Sequence, residues 1–236
     1  MIAEAIEKII NLAREEIIED DFGRQWIKQE NNYNPLTVSP IDTIKTNTLD
    51  SIRDFYQVED PSDSFVLIKN PNEVEVKSIP DSLWGKRQTY LSAVSQKCDF
   101  PFGTYLDVEA FIVRLQCCFL DTQTKKELTN FVSSIKTSEV RKAEDDGIAQ
   151  KVSVENEIGR LETAKFNPVV SLAPYRYFRE VDQVWSPFLL RMRKGPNDLP
   201  SIALMEADGS EWKILAMKVI KNHLKEILPE NIKIIC

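Results

Sequence analysis

The chain has 236 residues, 42% of them hydrophobic and 28% charged, ordinary globular proportions that allow a buried core in one domain, or one domain with a small appendage. A net charge of −7 argues against broad, non-specific adhesion to DNA or anionic lipid, although a local basic patch survives on an acidic protein. There is no run of about 18 apolar residues, so no membrane span is expected. The start of the chain carries Glu4, Glu7, Glu15 and Glu16 where a signal peptide would have a basic end and an unbroken apolar stretch, and an intracellular protein is expected. Four cysteines (Cys98, Cys117, Cys118 and Cys236) show no CxxC spacing, and the adjacent pair suits a reduced compartment; buried thiols are the expectation.

In chain order, Ile2, Ala5, Ile6, Ile9, Ile10, Ala13 and Ile17 recur at three- and four-residue steps, which predicts an amphipathic helix over 2–18. The stretch Asn31 to Pro40 is polar, holds two prolines and reads as a connector. Asn47 or Thr48 is placed to cap a short helix through Leu49, Ile52, Phe55 and Tyr56. Phe65 to Lys69 and Glu73 to Ile79 flank Asn70-Pro71-Asn72, the pattern of a hairpin with Val74 and Val76 inside and a wet face outside. Arg87 to Val94 is a third strand candidate. The spacing of Val108, Phe111, Ile112, Leu115, Cys118 and Phe119 predicts the most apolar helix, capped by Thr104 or Asp107, and a second helix follows from Thr124 to Ile135.

The period then falls from 3.6 to 2. Ser138 to Asp145 and Ile148 to Glu155 flank Asp146-Gly147, a strong hairpin signal because both residues tolerate positive φ, and Asn156 to Gly159 makes another turn. Val169 to Tyr175, Pro187 to Arg193 and Ile202 to Ala207 are further strands, the last two joined through Gly195 to Asp198. Asp208 and Glu211 fit a capping box for a last helix with Trp212, Leu215, Ala216, Val219, Ile220, Leu224 and Ile227 on its apolar stripe. Runs of helix and runs of strand, without βαβ alternation, predict an α+β fold: an antiparallel sheet with packed helices and a C-terminal sealing helix. The expected division is an N-terminal helical and connector region over 1–60 and a main domain over 61–236.

Glu109-Ala110-Phe111-Ile112, then Asp145-Asp146-Gly147 with Gln150, then Leu172-Ala173-Pro174-Tyr175-Arg176-Tyr177-Phe178 with Glu180 and Gln183 follow one another in a set order. Ser186-Pro187-Phe188, Arg191 and the Glu206-Ala207-Asp208-Gly209 turn with Trp212 complete the series. Across residues 87–228 the chain thereby resembles the YfdQ-like proteins of phages and prophages, a family of uncharacterised function. The family pattern has threonine where Tyr177 stands and a second glycine where Ser210 stands. The resemblance implies phage or prophage origin and a host-cytoplasm location; it implies no reaction and no catalytic residues.

The chemistry of the residues points the same way. A Ser-His-Asp or Cys-His site would have to use the one histidine, His223, which flanks the last helix's stripe without a nucleophile motif beside it. The seven glycines are scattered, with no phosphate-cradling loop. Asp198 with Glu211-Trp212-Lys213 imitates the acid and ExK of metal-dependent nucleases, which stands as a minor alternative, and Asp145-Asp146 imitates a metal pair; a turn and a helix cap account for both more simply. No catalytic residues, metal or cofactor are assigned.

The best functional candidate is a basic and aromatic set. Arg176, Arg179, Arg191 and Arg193 are interleaved with Tyr175, Tyr177 and Trp185; guanidiniums grip phosphates while aromatic faces stack on bases. The competing account makes the aromatics core and the arginines a solvated face. The expected function is that of a non-enzymatic phage or prophage accessory protein acting by binding, to a host or defence protein or a nucleotide-type ligand. The alternative is a single-stranded DNA binding or annealing partner in phage recombination. A cytoplasmic homo-oligomer is expected, because apolar helices and strand edges need cover.

Overall fold

A computed structural model describes residues 17–29, 32–36, 41–59, 61, 63–81, 84–135, 139–145, 150–155, 161–164, 167–196 and 199–236. Among the described residues four sheets are formed, and two of them carry helices. The first is a small antiparallel sheet of β1 (Ile17–Glu19), β2 (Gln25–Gln29) and β3 (Asn32–Pro35). Of the helix expected over 2–18, residues 2–16 lie outside the described residues, and Ile17 and Ile18 belong to β1. The connector expected over 31–40 contains β3, which is a strand because β2 supplies its ladder partners, Trp26 opposite Pro35 and Lys28 opposite Tyr33.

The second sheet has the order β15-β5-β6-β7-β4. Its strands are β4 (Ile44–Thr46), β5 (Ser64–Asn70), β6 (Glu73–Ser78), β7 (Thr89–Val94) and β15 (Lys233–Ile235). The predicted hairpin and third strand are its antiparallel centre. Both edges pair in parallel, β4 with β7 and β15 with β5, so this sheet is mixed. Val74 and Val76 are fully buried, as their alternation implies. Glu75 is also buried, which departs from the wet face expected there; Lys77 at 3.2 Å and Lys69 at 3.7 Å neutralise it.

Helices α1 (Asp50–Val58) and α4 (Glu211–Ile227) are built into the core of this sheet. Leu49, Ile52, Phe55 and Tyr56 meet Trp212, Ala216, Ile220 and Leu224 in one cluster with Val66, Ile68, Val74, Val76, Leu91 and Ala93. The boundary drawn at residue 60 therefore does not separate two cores. The C-terminal helix is the sealing helix expected, with two differences. Leu215 is exposed because the buried row runs at four-residue steps through Trp212, Ala216, Ile220 and Leu224. Glu211 is the first helical residue rather than the reciprocal partner of a capping box: Asp208 alone caps, accepting from the amides of Ser210 at 3.0 Å and Trp212 at 3.4 Å.

The third sheet is antiparallel in the order β12-β13-β14-β8. Its strands are β8 (Leu106–Asp107), β12 (Val169–Leu172), β13 (Ser186–Lys194) and β14 (Pro200–Glu206). Helices α2 (Val108–Cys118) and α3 (Gln123–Ile135) cover it, α2 capped by Asp107 through the amide of Ala110 at 2.8 Å. Phe111, Leu115, Leu128 and Val132 pack there on Leu172, Phe188, Leu190, Ile202 and Leu204. Cys98 and Cys118 form a disulfide, and Cys117 and Cys236 are exposed, which corrects the expectation of four buried thiols; the 5.3 Å between the paired Cα atoms suits the bond. The fourth sheet joins β9 (Glu139–Asp145), β10 (Gln150–Glu155) and β11 (Leu161–Ala164), all antiparallel. The predicted hairpin strands are β9 and β10, with Gln150 opposite Asp145; the turns expected at 146–147 and 156–159 lie outside the described residues.

Candidate functional site

Between β12 and β13 the chain runs through residues 173–185 without a helix or a paired strand of ordinary length, yet most of this loop is buried. A buried loop must find partners for its polar groups, and several are supplied within the loop and by neighbouring segments. The amide of Tyr175 donates to the Cys118 carbonyl at 2.8 Å, and its own carbonyl accepts from Cys98 at 3.0 Å. The buried Gln183 side chain donates to the carbonyls of Phe178 (2.9 Å) and Val181 (3.1 Å) and accepts from the amide of Arg176 at 3.2 Å. The Tyr177 hydroxyl donates to the Asp182 carbonyl and accepts from the amide of Val184 at 2.8 Å. Burial pushes the Tyr177 phenol up to about 12.

Glu180 reaches out of the loop to α1. Its carboxylate accepts from the amides of Leu49 at 2.6 Å and Asp50 at 3.2 Å, so a side chain 131 residues away does the capping expected of Asn47 or Thr48. The loop also supplies both cores: Leu172 at its start belongs with the α2 and α3 core, and Tyr177, Phe178 and Val181 belong with the α1 and α4 core.

Arg176 stands where the two cores meet. Only 6% exposed, its guanidinium carbon lies 4.5 Å from the Trp212 ring centre and 5.0 Å from those of Phe102 and Phe188. Glu206 is its ion-pair partner, at 3.4 Å. Burial lowers the Arg176 pKa, and the carboxylates of Glu206 and Asp208 oppose that shift. Arg176 is thus not at the surface expected for the arginines, and Tyr177 is core, as the competing account of the aromatics has it: in an irregular loop no period marks which side chains turn inward.

The remaining candidates are accessible. Arg179 is exposed and lies over the Tyr175 ring at 4.5 Å, and Trp185 is 51% exposed at the end of the loop. On β13 the alternation holds: Phe188, Leu190 and Met192 are buried, while Arg191 is half-buried and Arg193 exposed on the opposite face. Arg193 lies 4.0 Å over Tyr105. Sequence reasoning missed Tyr105, which comes into reach because Arg193 pairs with Ser201 and Ser201 with Asp107 of the two-residue strand β8. The structure therefore yields two pairs of an exposed arginine over a half-buried tyrosine, Arg179 with Tyr175 and Arg193 with Tyr105, and sets Arg191 beside the second.

Among the described residues no three histidine, cysteine, aspartate or glutamate side chains gather as metal ligands. His223 is half-buried on α4. Glu211 opens a helix and does not lie on a strand, so the nuclease arrangement of adjoining strands is not built around it, and Asp198 and Asp146 lie outside the described residues. No helix among the described residues is long and apolar enough to cross a membrane. No family model, no curated protein and no solved structure matches the chain.

Proposed function

We propose that the chain is a phage or prophage accessory protein that acts by binding, and that the exposed part of the 173–185 loop is its recognition surface for a host-side protein. The observation that carries this reading is a loop tied into both cores that exposes Arg179 over the half-buried Tyr175 ring and exposes Trp185 at its end. Tryptophan, tyrosine and arginine are the residues that dominate the energetics of protein interfaces. Their loop is braced beforehand by Tyr177, Gln183 and Glu180, so little ordering is left to be done on association. The YfdQ-like resemblance, whose run from Leu172 to Phe178 departs only at Tyr177, supports the phage origin.

Affinity capture from bacterial lysate tests it, with wild type and a Trp185→Ala, Arg179→Ala double variant compared at equal thermal stability. A protein retained by the wild type and lost from the variant is expected; identical captured sets reject the loop as the surface.

A second reading rests on the other pair. Arg193 over Tyr105, with Arg191 beside it, offers a cation and an aromatic face of the kind that holds a nucleotide or single-stranded DNA. It predicts binding of a fluorescent oligothymidylate that weakens steeply with salt and is lost in the Arg191→Ala, Arg193→Ala variant.

A further inference from the structure

The irregular segment 95–105 runs between β7 and β8 and touches both arginine–tyrosine pairs. The amide of Cys98 donates to the Tyr175 carbonyl at 3.0 Å, and Tyr105 lies under Arg193. Phe102, between them, stacks on Phe188 and is one of the three rings around the Arg176 guanidinium. With no helix or strand of its own, the segment is placed by bonds to its neighbours. The Ser95 amide donates to the Asn72 carbonyl at 2.9 Å, the Gly103 amide to the Leu204 carbonyl at 2.8 Å, and Arg114 Nη1 to the Asp99 carbonyl at 3.0 Å. The Cys98–Cys118 disulfide ties it to α2.

That disulfide closes directly on the 173–185 loop. Tyr175 stands between the two cysteines, its carbonyl bonded to the Cys98 amide and its amide to the Cys118 carbonyl at 2.8 Å. The sulfur link therefore joins the two backbones that grip Tyr175, the residue over whose ring Arg179 lies. On the α2 side the loop has further ties, the Leu120 amide to the Ala173 carbonyl at 2.9 Å and the bridge between Phe119 and Pro174. On the other side the grip on Tyr175 is the Cys98 amide, kept next to α2 by the disulfide and by the exposed Arg114 bond.

We propose that the Cys98–Cys118 bond is a redox switch for this loop. Closed, it holds Tyr175 firm beneath Arg179; opened by a dithiol reductant, it lets Tyr175 loosen and takes from Arg179 the fixed ring it lies over. As control of recognition, this rests on the reading of the loop as the binding surface. The two sulfurs differ in access: Cys118 is 1% exposed and Cys98 only partly buried, so the reductant's thiolate attacks Cys98 Sγ. The S–S bond breaks, and Cys118 leaves as a thiolate and takes up a proton. The reductant's second thiol then displaces Cys98 from the mixed disulfide, and Cys98 is protonated in turn. Two cysteine thiols and the reductant's own disulfide result, two electrons and two protons having passed to the protein. The change stays local, because α2, α3 and strands β12 to β14 keep their own ladders and their shared core.

The test uses the full chain with Cys117→Ser and Cys236→Ser, which removes the two exposed free thiols. Backbone ¹⁵N relaxation is measured on the oxidised protein, after dithiothreitol, and after reoxidation. Order parameters at Cys98, Asp99 and Tyr175 are expected to fall from about 0.85 to about 0.6 or below on reduction and to recover on reoxidation. Tyr177 and Gln183, held from within the loop, should keep theirs. Cys98→Ser should give the reduced values without reductant. Unchanged order parameters overturn the proposal, and so does general unfolding on reduction, which would make the bond a staple of the whole fold. In the lysate capture, Cys98→Ser should retain about two- to tenfold less of the protein held by the oxidised form. Undiminished retention overturns the control of recognition. Capture that ignores Trp185→Ala, Arg179→Ala instead rejects the recognition surface itself, and the relaxation result then decides the switch.

Discussion

Local geometry works against the side chain at Ser210 and for it at Tyr177. Ser210 has φ 71°, the one positive value at a non-glycine among the described residues, directly after Gly209 at φ 57°. A side chain costs about 1–2 kcal/mol in that left-handed region, which glycine enters freely. Ser210→Gly should therefore stabilise the protein by about 1 kcal/mol, seen as a raised urea midpoint with an unchanged slope. Tyr177 places its hydroxyl between the Asp182 carbonyl and the Val184 amide, where a shorter side chain would not reach across the loop. Its pKa of about 12 stands above the ordinary 10.0, so the folded state keeps a proton that the unfolded chain releases. The stability this contributes is fully present below pH 10 and is lost as pH rises towards 12. Alkaline unfolding should steepen over that window. Tyr177→Phe should lower stability by about 1–2 kcal/mol at neutral pH and flatten the alkaline loss.

Elements were readable in the sequence in proportion to their length and to how much of their pattern is their own. Helices α2 and α3, the β5-β6-β7 meander and strands β12, β13 and β14 announce themselves because each repeats its period several times over. Strands β4, β8 and β15 have two or three residues each and exist through their partners, so nothing in their own residues marks them. The cap of α1 was hidden for the same reason, since Glu180 is brought to it only by the tertiary fold. The disulfide belongs at this scale too. Cys98 and Cys118 lie 20 residues apart and tie the segment before α2 to that helix's last turn, beside the strand-like bridge from Phe119 to Pro174. Closing a loop of that length stabilises a fold by about 3 kcal/mol. Reduction, or a Cys98→Ser, Cys118→Ser double variant, should lower Tm by roughly 6–12 °C. Equal melting curves with and without reductant would mean the bond contributes nothing to the fold.

At the scale of the whole molecule, the 173–185 loop contributes to both sheet-and-helix cores, and the Arg176 guanidinium is buried between them. The alternation of arginine with apolar residues on β13 was legible from its period, and so was the concentration of arginines and aromatics after Ser171. Which arginine would be buried was not legible, because that depends on Phe102 and Trp212 arriving from segments well before and well after it in the chain. This arrangement makes a prediction that separates charge from packing. A buried cation carries a desolvation cost, and an apolar side chain of similar length often replaces it without loss. Arg176→Met should then keep the protein within about 1 kcal/mol of wild type, since the methionine stem still fills the space between the three rings. Arg176→Ala leaves a void between the cores and should cost about 2–4 kcal/mol. Glu206→Ala leaves the guanidinium buried without its counter-ion and should also destabilise, by less than a fully buried pair would because Glu206 is partly exposed. Denaturant unfolding of the three variants checks the order. If methionine proves as damaging as alanine, the positive charge itself holds the two cores together, and the ion pair with Glu206 outweighs the packing of the stem.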